Sequence, residues 1–204
     1  MKLNLGCGPQ VPEGWINVDY AFGARLATKP LFRALNKRLK FFAVDWHDSI
    51  FIHNLTERFP WSDGAVHTIY SSHTLEHLSR EEGLFFLRES HRVLKTGGII
   101  RIVVPDLAAF VNKYLSGELR ANDFVERLGV LYEKKSSTLK TRLGSFIQFP
   151  HKCMYDTQTL LAILEEIGFK ASSRKPFNSN IQDIQNVELE IRTVDAVIVE
   201  GKKE

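Results

Sequence analysis

The sequence predicts an α/β fold: a single domain with a mostly parallel central sheet, a final antiparallel strand and a reduced first crossover. Three observations predict it. Lys2-Leu3-Asn4-Leu5 reads as a strand running into Gly6-Cys7-Gly8, and Trp15-Ile16-Asn17-Val18 as a second strand ending in Asp19. Strand, Gly-x-Gly turn, strand and terminal carboxylate is how a doubly wound sheet builds a nucleoside pocket. Ile99 to Val104 is a β-branched run, the mark of a strand buried on both faces. A helix expected over Asp156 to Ile167, stopped by Gly168, leads into two last strands, Phe169 to Pro176 and Leu189 to Val199, expected to pair as an antiparallel hairpin.

The 204 residues fit one domain with a core large enough to need no staples. Hydrophobic content of 44% and charged content of 25% are ordinary for a soluble globular protein. A net charge of +3 is too small to argue for nucleic acid, and none is expected as a partner. Cys7 and Cys153 form no C-x-x-C pair, so neither a disulfide framework nor a zinc site is indicated and a reducing cytoplasm is the expectation. The N-terminus enters a strand at once, so no signal peptide is expected. No apolar run approaches the length of a membrane span.

Between the first two strands lie only Pro9 to Gly14, with Pro9, Pro12 and Gly14 all poor inside a helix. Parallel strands normally need a crossover of about a dozen residues. Either the first helix is reduced to a turn, or the two strands do not pair directly. Residues 21–40 are basic: Arg25, Lys29, Arg33, Lys37, Arg38 and Lys40 occur with no acidic residue among them. Leu31, Phe32, Leu35 and Leu39 recur at helical spacing after Pro30, which predicts a basic amphipathic helix over 30–39. Its apolar stripe belongs to the core, or its charged face meets anionic lipid or substrate. Phe41 to Val44 reads as the next strand, ending in Asp45-Trp46.

The turn Phe59-Pro60-Trp61-Ser62-Asp63-Gly64 precedes a strand over Ala65 to Tyr70, which exits into Ser71 to Leu78. Glu81 to Lys95 reads as an amphipathic helix ending at Thr96-Gly97-Gly98. Asp106 caps a helix to Leu115, and Asn122 to Tyr132 has helical spacing. Lys134, Lys135, Lys140 and Arg142 form a second basic cluster.

These segments carry a resemblance. Leu5-Gly6-Cys7-Gly8 resembles the S-adenosylmethionine-binding turn of class I methyltransferases. Gly14-Trp15-Ile16-Asn17-Val18-Asp19 resembles a small bacterial branch whose second strand reads Gly-Trp-x-Asn-x-Asp. Leu75-Glu76-His77-Leu78 and the stretch from Arg92 through Gly97-Gly98 to Val104-Pro105-Asp106 are similar to family segments as well. The resemblance covers most of 1–110 and 150–200. It implies a Rossmann-like sheet, S-adenosyl-L-methionine as cofactor, and a small or glycan- or lipid-linked acceptor. An insertion at about 106–150 would cover the acceptor side. The implied cofactor set is Leu5, Gly6, Cys7, Gly8, Asp19, Tyr20, Asp45, Trp46, Ser71 and Ser72. Asp19 would hold the ribose hydroxyls, Asp45 the adenine amino group, and Trp46 would cover the ring. Asp45 could equally cap a turn, and Trp46 could be core.

The candidate acid–base groups are His73, Glu76 and His77. On a helix starting near Thr74, His73 and His77 would share a face. Two histidines and a carboxylate are too few to claim a metal. The Glu-His pair could also serve only to hold loops. His151 and Tyr155 form a second polar group, for substrate contact or helix capping. Other readings fail or weaken. No Walker lysine follows the glycines, no Gly-x-Ser-x-Gly elbow surrounds Ser71 or Ser72, and Pro9 follows Gly8 where a nicotinamide-dependent oxidoreductase would continue toward a third glycine. A cofactor-binding module without catalysis stays open, as does peripheral contact of the basic stretches with an anionic membrane. Oligomeric state is not legible.

Overall fold

The computed structural model describes residues 1–29, 46–130 and 150–204. Strands β1 (Lys2–Leu5) and β2 (Ile16–Asp19) lie side by side and parallel, Leu3 opposite Ile16 and Leu5 opposite Val18. The crossover over 6–15 contains no helix, so the two strands pair directly despite its brevity. Two buried asparagines take up polar groups that a helix would have satisfied internally. Asn17 Nδ2 donates to the carbonyls of Pro12 and Trp15, both at 3.2 Å, and its Oδ1 accepts from Asn4 Nδ2 at 3.0 Å.

After β2 comes a short helix, α1 (Phe22–Ala27). The strand beside β2 is β3 (Phe51–Ile52), parallel to it with Val18 opposite Phe51. The helix expected over 30–39, the strand expected over Phe41 to Val44, and Asp45 lie outside the described residues. Trp46, the first residue described after that stretch, precedes β3, and His53 and Asn54 follow that strand. A two-residue strand has no periodicity to read, whereas the apolar run at 41–44 does.

β4 (Val66–Ser72) is central, parallel to β1 on one side and to β5 (Leu94–Pro105) on the other. Between them runs α2 (Arg80–Val93). It starts at a capping box in which Ser79 Oγ accepts from Glu82 N and the Glu82 carboxylate accepts from Ser79 N. It stops at Val93 rather than Lys95, because Leu94 already pairs with Val66. α3 (Leu107–Leu115) is capped by Asp106 as expected, and α4 (Ala121–Arg127) follows. α5 (Thr157–Ile167) is capped by Asp156 and closed by Gly168 at φ 107°. β6 (Phe169–Ser173) and β7 (Ala196–Lys203) pair antiparallel, and β7 inserts between β5 and β6. The sheet order among the described residues is β3-β2-β1-β4-β5-β7-β6. The last strand begins seven positions later than Leu189. Residues 190–193 form a helical turn, α6 (Glu190–Thr193), and Ile191 and Val194 are 82% and 65% exposed, so the apolar pattern that suggested a strand is not buried there.

Strand alternation builds two cores. Leu3, Leu5, Ile69, Ile100, Ile102 and Val104 pack with Phe86, Leu87, Leu160 and Leu164 from α2 and α5. Trp15, Tyr70, Val103 and Ile198 pack with Ile181, Ile184 and Val187 of the loop between β6 and α6. Arg101, in the middle of the β-branched run, is fully buried. Its guanidinium holds Glu188 in a two-pronged pair at 2.7 and 2.9 Å, Glu200 at 3.0 Å, and the carbonyls of Asn178 and Lys175. One strand residue thereby ties down the loop that forms the second core.

Candidate active site

At the carboxyl end of β1 the backbone amides of Gly6 and Cys7 both donate to the Val18 carbonyl, at 2.9 and 3.0 Å. The Gly8 amide donates to Asp19 Oδ2 at 2.8 Å, and the other carboxylate oxygen accepts from Ala21 N at 2.7 Å. Asp19 therefore fastens the glycine turn and opens α1 at once. Gly6 and Gly8 have φ of +74° and +57°, a region L side chains rarely enter. A Cβ on Gly6 would stand 2.6 Å from Thr74 Cγ2, while one on Gly8 would meet nothing within 4 Å. The turn is thus closed toward β4 and open beside Gly8. Cys7 packs with Ala24 and Ile50. Burial, and secondly the charge of Asp19, push its thiol up to about 12, so it serves as a small hydrophobe.

Next to the turn is a cleft lined by Asn4, Gly6, Cys7, Gln10, Tyr70, Ser72, Val187, Leu189 and Arg192. Two polar atoms there, Tyr70 Oη and Ser72 Oγ, are buried without a hydrogen-bond partner. Burial pushes the Tyr70 hydroxyl up to about 12, so it keeps its proton. Ser71 points to the opposite face and donates to the Leu5 carbonyl at 3.0 Å, a bond that joins β4 to β1. Tyr20 is exposed, with the Arg25 guanidinium 4.7 Å above its ring. Trp46 packs against Cys7, Ala24 and Ile50. At the end of β3 the His53 amide donates to the Asp19 carbonyl at 3.3 Å, and Asn54 Oδ1 accepts from Thr56. Tyr70, Arg192, His53 and Asn54 were not picked out from sequence.

The second group of ionisable residues follows β4. Thr74 begins not a helix but a 3-10 turn, Leu75–His77. His73 precedes it with φ 52°. His73 and His77 therefore share no helix face. The His73 ring lies with Nε2 3.0 Å from the Arg192 carbonyl and Nδ1 3.4 Å from Glu76 Oε1. The His77 ring has Nδ1 3.3 Å from the Pro150 carbonyl and meets His151 edge-on, with centroids 5.0 Å apart. Glu76 is fully buried, and neither carboxylate oxygen has a hydrogen-bond donor. Its backbone carbonyl accepts from the amides of Lys152 and Cys153 at 2.7 and 3.1 Å, which brings His151 to the cluster. Burial holds the His151 imidazole below its usual range. Tyr155 does not join it. Its ring is buried in the main core, its hydroxyl pushed above the usual range by burial, and it borders a separate cavity of about 250 Å³ with Arg80, Leu84 and Met154.

Residues 3–102 match the family described as methyltransferase domain. The match runs from β1 into β5 and covers just under half of the chain. No curated protein sequence matches it. Its structure is similar to the YcgJ protein from Bacillus subtilis, with 12% identity, a TM-score of 0.52, and coverage of 100% of this chain and 91% of that one. It is similar to an O-methyltransferase family protein from Burkholderia thailandensis, at 13% identity and TM-score 0.52, covering 100% of this chain and 50% of that one. It is similar also to PigF with S-adenosylhomocysteine, at 13% identity and TM-score 0.50, covering 100% and 56%. At these identities the likeness is one of fold. The matched stretch contains the glycine turn, Asp19 and the His73-Glu76-His77 turn. His151 and Arg192 come from beyond it. Among the described residues no helix is long and apolar enough to cross a membrane.

Proposed function

We propose that the chain is an S-adenosylmethionine-dependent methyltransferase acting on a small or glycan- or lipid-linked acceptor. The observation that carries the cofactor reading is the Asp19 clamp on the glycine turn. Each carboxylate oxygen accepts one backbone bond and retains another lone pair, so Asp19 can accept a ribose diol while it holds the turn. Tyr70 Oη and Ser72 Oγ are buried beside that turn with no geometric hydrogen bond among the described residues, though close enough to act on one another, so the pair can take up a polar ligand atom. The cofactor would supply a methyl group on a sulfonium. The protein's part is to orient the acceptor, which alone is worth several kcal/mol. A hydroxyl or ammonium acceptor must also lose a proton. We assign that role to His73 at the edge of the cleft, whose ring must turn away from the Arg192 carbonyl to offer the acceptor a lone pair. Glu76, sealed from solvent, acts as a positioning residue through His73 Nδ1. The acceptor class rests on resemblance alone.

Calorimetric titration with S-adenosylhomocysteine and with NAD tests the cofactor. A charged hydrogen bond is worth roughly 1.5–3 kcal/mol, so Asp19→Ala is expected to weaken S-adenosylhomocysteine binding at least about tenfold. Unchanged affinity in a folded variant, or binding of NAD instead, refutes the reading. His73→Ala is expected to slow methyl transfer about 100-fold, with cofactor affinity nearly unchanged. A variant that loses the cofactor and melts earlier makes His73 structural.

A further inference from the structure

We infer that Glu76, His77 and His151 form a site for a first-row divalent transition-metal ion of the zinc class. One donor atom from each of the three lies within 4.8 Å of the other two. The hydrogen bonds around them select metal-ready tautomers. A carbonyl oxygen can only accept, so the ring nitrogen facing it must carry the proton. His151 Nδ1 faces the Leu128 carbonyl at 2.8 Å and His77 Nδ1 faces the Pro150 carbonyl at 3.3 Å. Both rings therefore hold the lone pair on Nε2. Imidazoles that bind metals commonly have one ring nitrogen anchored to a backbone carbonyl in this way.

His73 stands beside the cluster. Its Nε2 faces the Arg192 carbonyl at 3.0 Å, and Nδ1 is turned toward Glu76 Oε1 at 3.4 Å. The Glu76 carboxylate supplies the independent observation. It is fully buried, with no hydrogen bond to either oxygen among the described residues, and a bound cation is one way such a carboxylate is compensated. Two imidazoles and one carboxylate suit zinc or a similar borderline ion rather than magnesium, which prefers oxygen ligands. Zinc binds at about 2.0–2.1 Å from each donor, so the three side chains draw together on binding. The Lys152 and Cys153 amides on the Glu76 carbonyl already hold the two chain segments in register for this. Three protein ligands leave a coordination position open. Only on the methyltransferase reading would that position receive the acceptor oxygen.

The test needs neither cofactor nor acceptor, so its failure and the failure of the methyltransferase reading are separate events. Tag-free protein, dialysed against chelator, is titrated with zinc alone against a chromogenic competitor. One zinc per chain is expected, at micromolar affinity or tighter, undisplaced by millimolar magnesium. His151→Ala changes a half-buried ring at the edge of the cluster and is expected to weaken zinc at least about 100-fold, because even outer partners of a ligand cost about 10–100-fold. Glu76→Gln is expected to do the same. Should it fail to fold, His77→Ala replaces it. Absence of one-to-one binding overturns the inference. Binding that survives both substitutions overturns it as well.

Discussion

Replacing Arg101 by Met should be among the most destabilising single changes in the chain. The side chain is fully buried in β5, and all its nitrogens are used: Nε and Nη2 on Glu188, Nη1 on Glu200 and the Asn178 carbonyl, Nη2 also on the Lys175 carbonyl. Methionine fills the volume but supplies no donor. Glu200 keeps Arg174 at 3.1 Å and the Ser179 hydroxyl, so part of its compensation survives. Glu188 keeps only the Phe177 amide, at 2.6 Å, and is left as a buried charge. Removing one partner of such a pair costs about 3–5 kcal/mol. For a chain of this size each kcal/mol moves the melting temperature by about 2–4 °C, so a drop of roughly 6–20 °C is expected by calorimetry. Adding Glu188→Gln to Arg101→Met should recover part of the loss, since it removes the stranded charge. Affinity for S-adenosylhomocysteine should fall as well, because the segment that Arg101 ties down leads to Val187, Leu189 and Arg192 in the cleft. A folded Arg101→Met within about 1 kcal/mol of the parent would refute the reasoning and show that the network is not what holds this loop.

Gly6→Ala places a Cβ against Thr74 at a positive φ; it is expected to cost more than about 1 kcal/mol and to abolish S-adenosylhomocysteine binding by calorimetry, whereas Gly6→Ala with Thr74→Gly should relieve the clash but not the backbone strain. Arg92 holds the carboxyls of Glu89 and Asp63 below the usual range, chiefly through hydrogen bonds from its guanidinium. Groups with depressed folded values stabilise at pH above their ordinary ones and lose that contribution as pH falls through the folded values. The stability difference between the parent and Arg92→Met, measured by urea denaturation, should therefore be full at pH 7 and shrink below the ordinary glutamate value of 4.5. A remainder persists from the carbonyls of Phe59 and Trp61. A difference that grows in acid contradicts the ion pairs.

What the sequence revealed and what it hid follow from the range of the forces involved. Strand β1, the turn at Gly6-Cys7-Gly8, Asp19 at the end of β2, the cap Asp106 and the helix ending at Gly168 are local signals, and the structure has them where they were read. β3 was missed because its two residues owe their pairing to β2 and not to any periodicity of their own. Leu189 to Val194 looked like a strand because apolar alternation does not reveal whether a partner exists. Arg101 was hidden for the opposite reason: a single charge inside a β-branched run is neutralised by residues 87 and 99 positions away. Equally, nothing local marks His151 as a neighbour of Glu76; a carbonyl 76 positions earlier than Lys152 makes the link.

The two parts of the site are mechanically one, and Thr74 is where they join. Its hydroxyl lies 3.4 Å from the Leu5 carbonyl, 3.5 Å from that of Gly6 and 3.3 Å from that of Ser72. One side chain therefore fills the space a Cβ on Gly6 would need and also begins the turn that carries Glu76 and His77. At the end of β4 the chain faces alternate ways, with Ser71 bonded into the sheet at Leu5 and Ser72 turned to the cleft. His73 then takes a left-handed backbone conformation that carries its ring from the Arg192 carbonyl to Glu76. Such a conformation at a non-glycine residue costs of order 1–3 kcal/mol and persists only where its surroundings over-determine it. Here both ring nitrogens and the His73 amide, which donates to Val103 at 2.8 Å, supply that determination. An ion drawn to Glu76 would pull on the same turn that closes the glycine loop. Metal occupancy and cofactor affinity are therefore expected to be coupled through Thr74. Parallel titrations of S-adenosylhomocysteine with and without zinc would measure that coupling in the parent and in Thr74→Ala. If the two proteins show the same change in affinity on adding zinc, Thr74 does not transmit it.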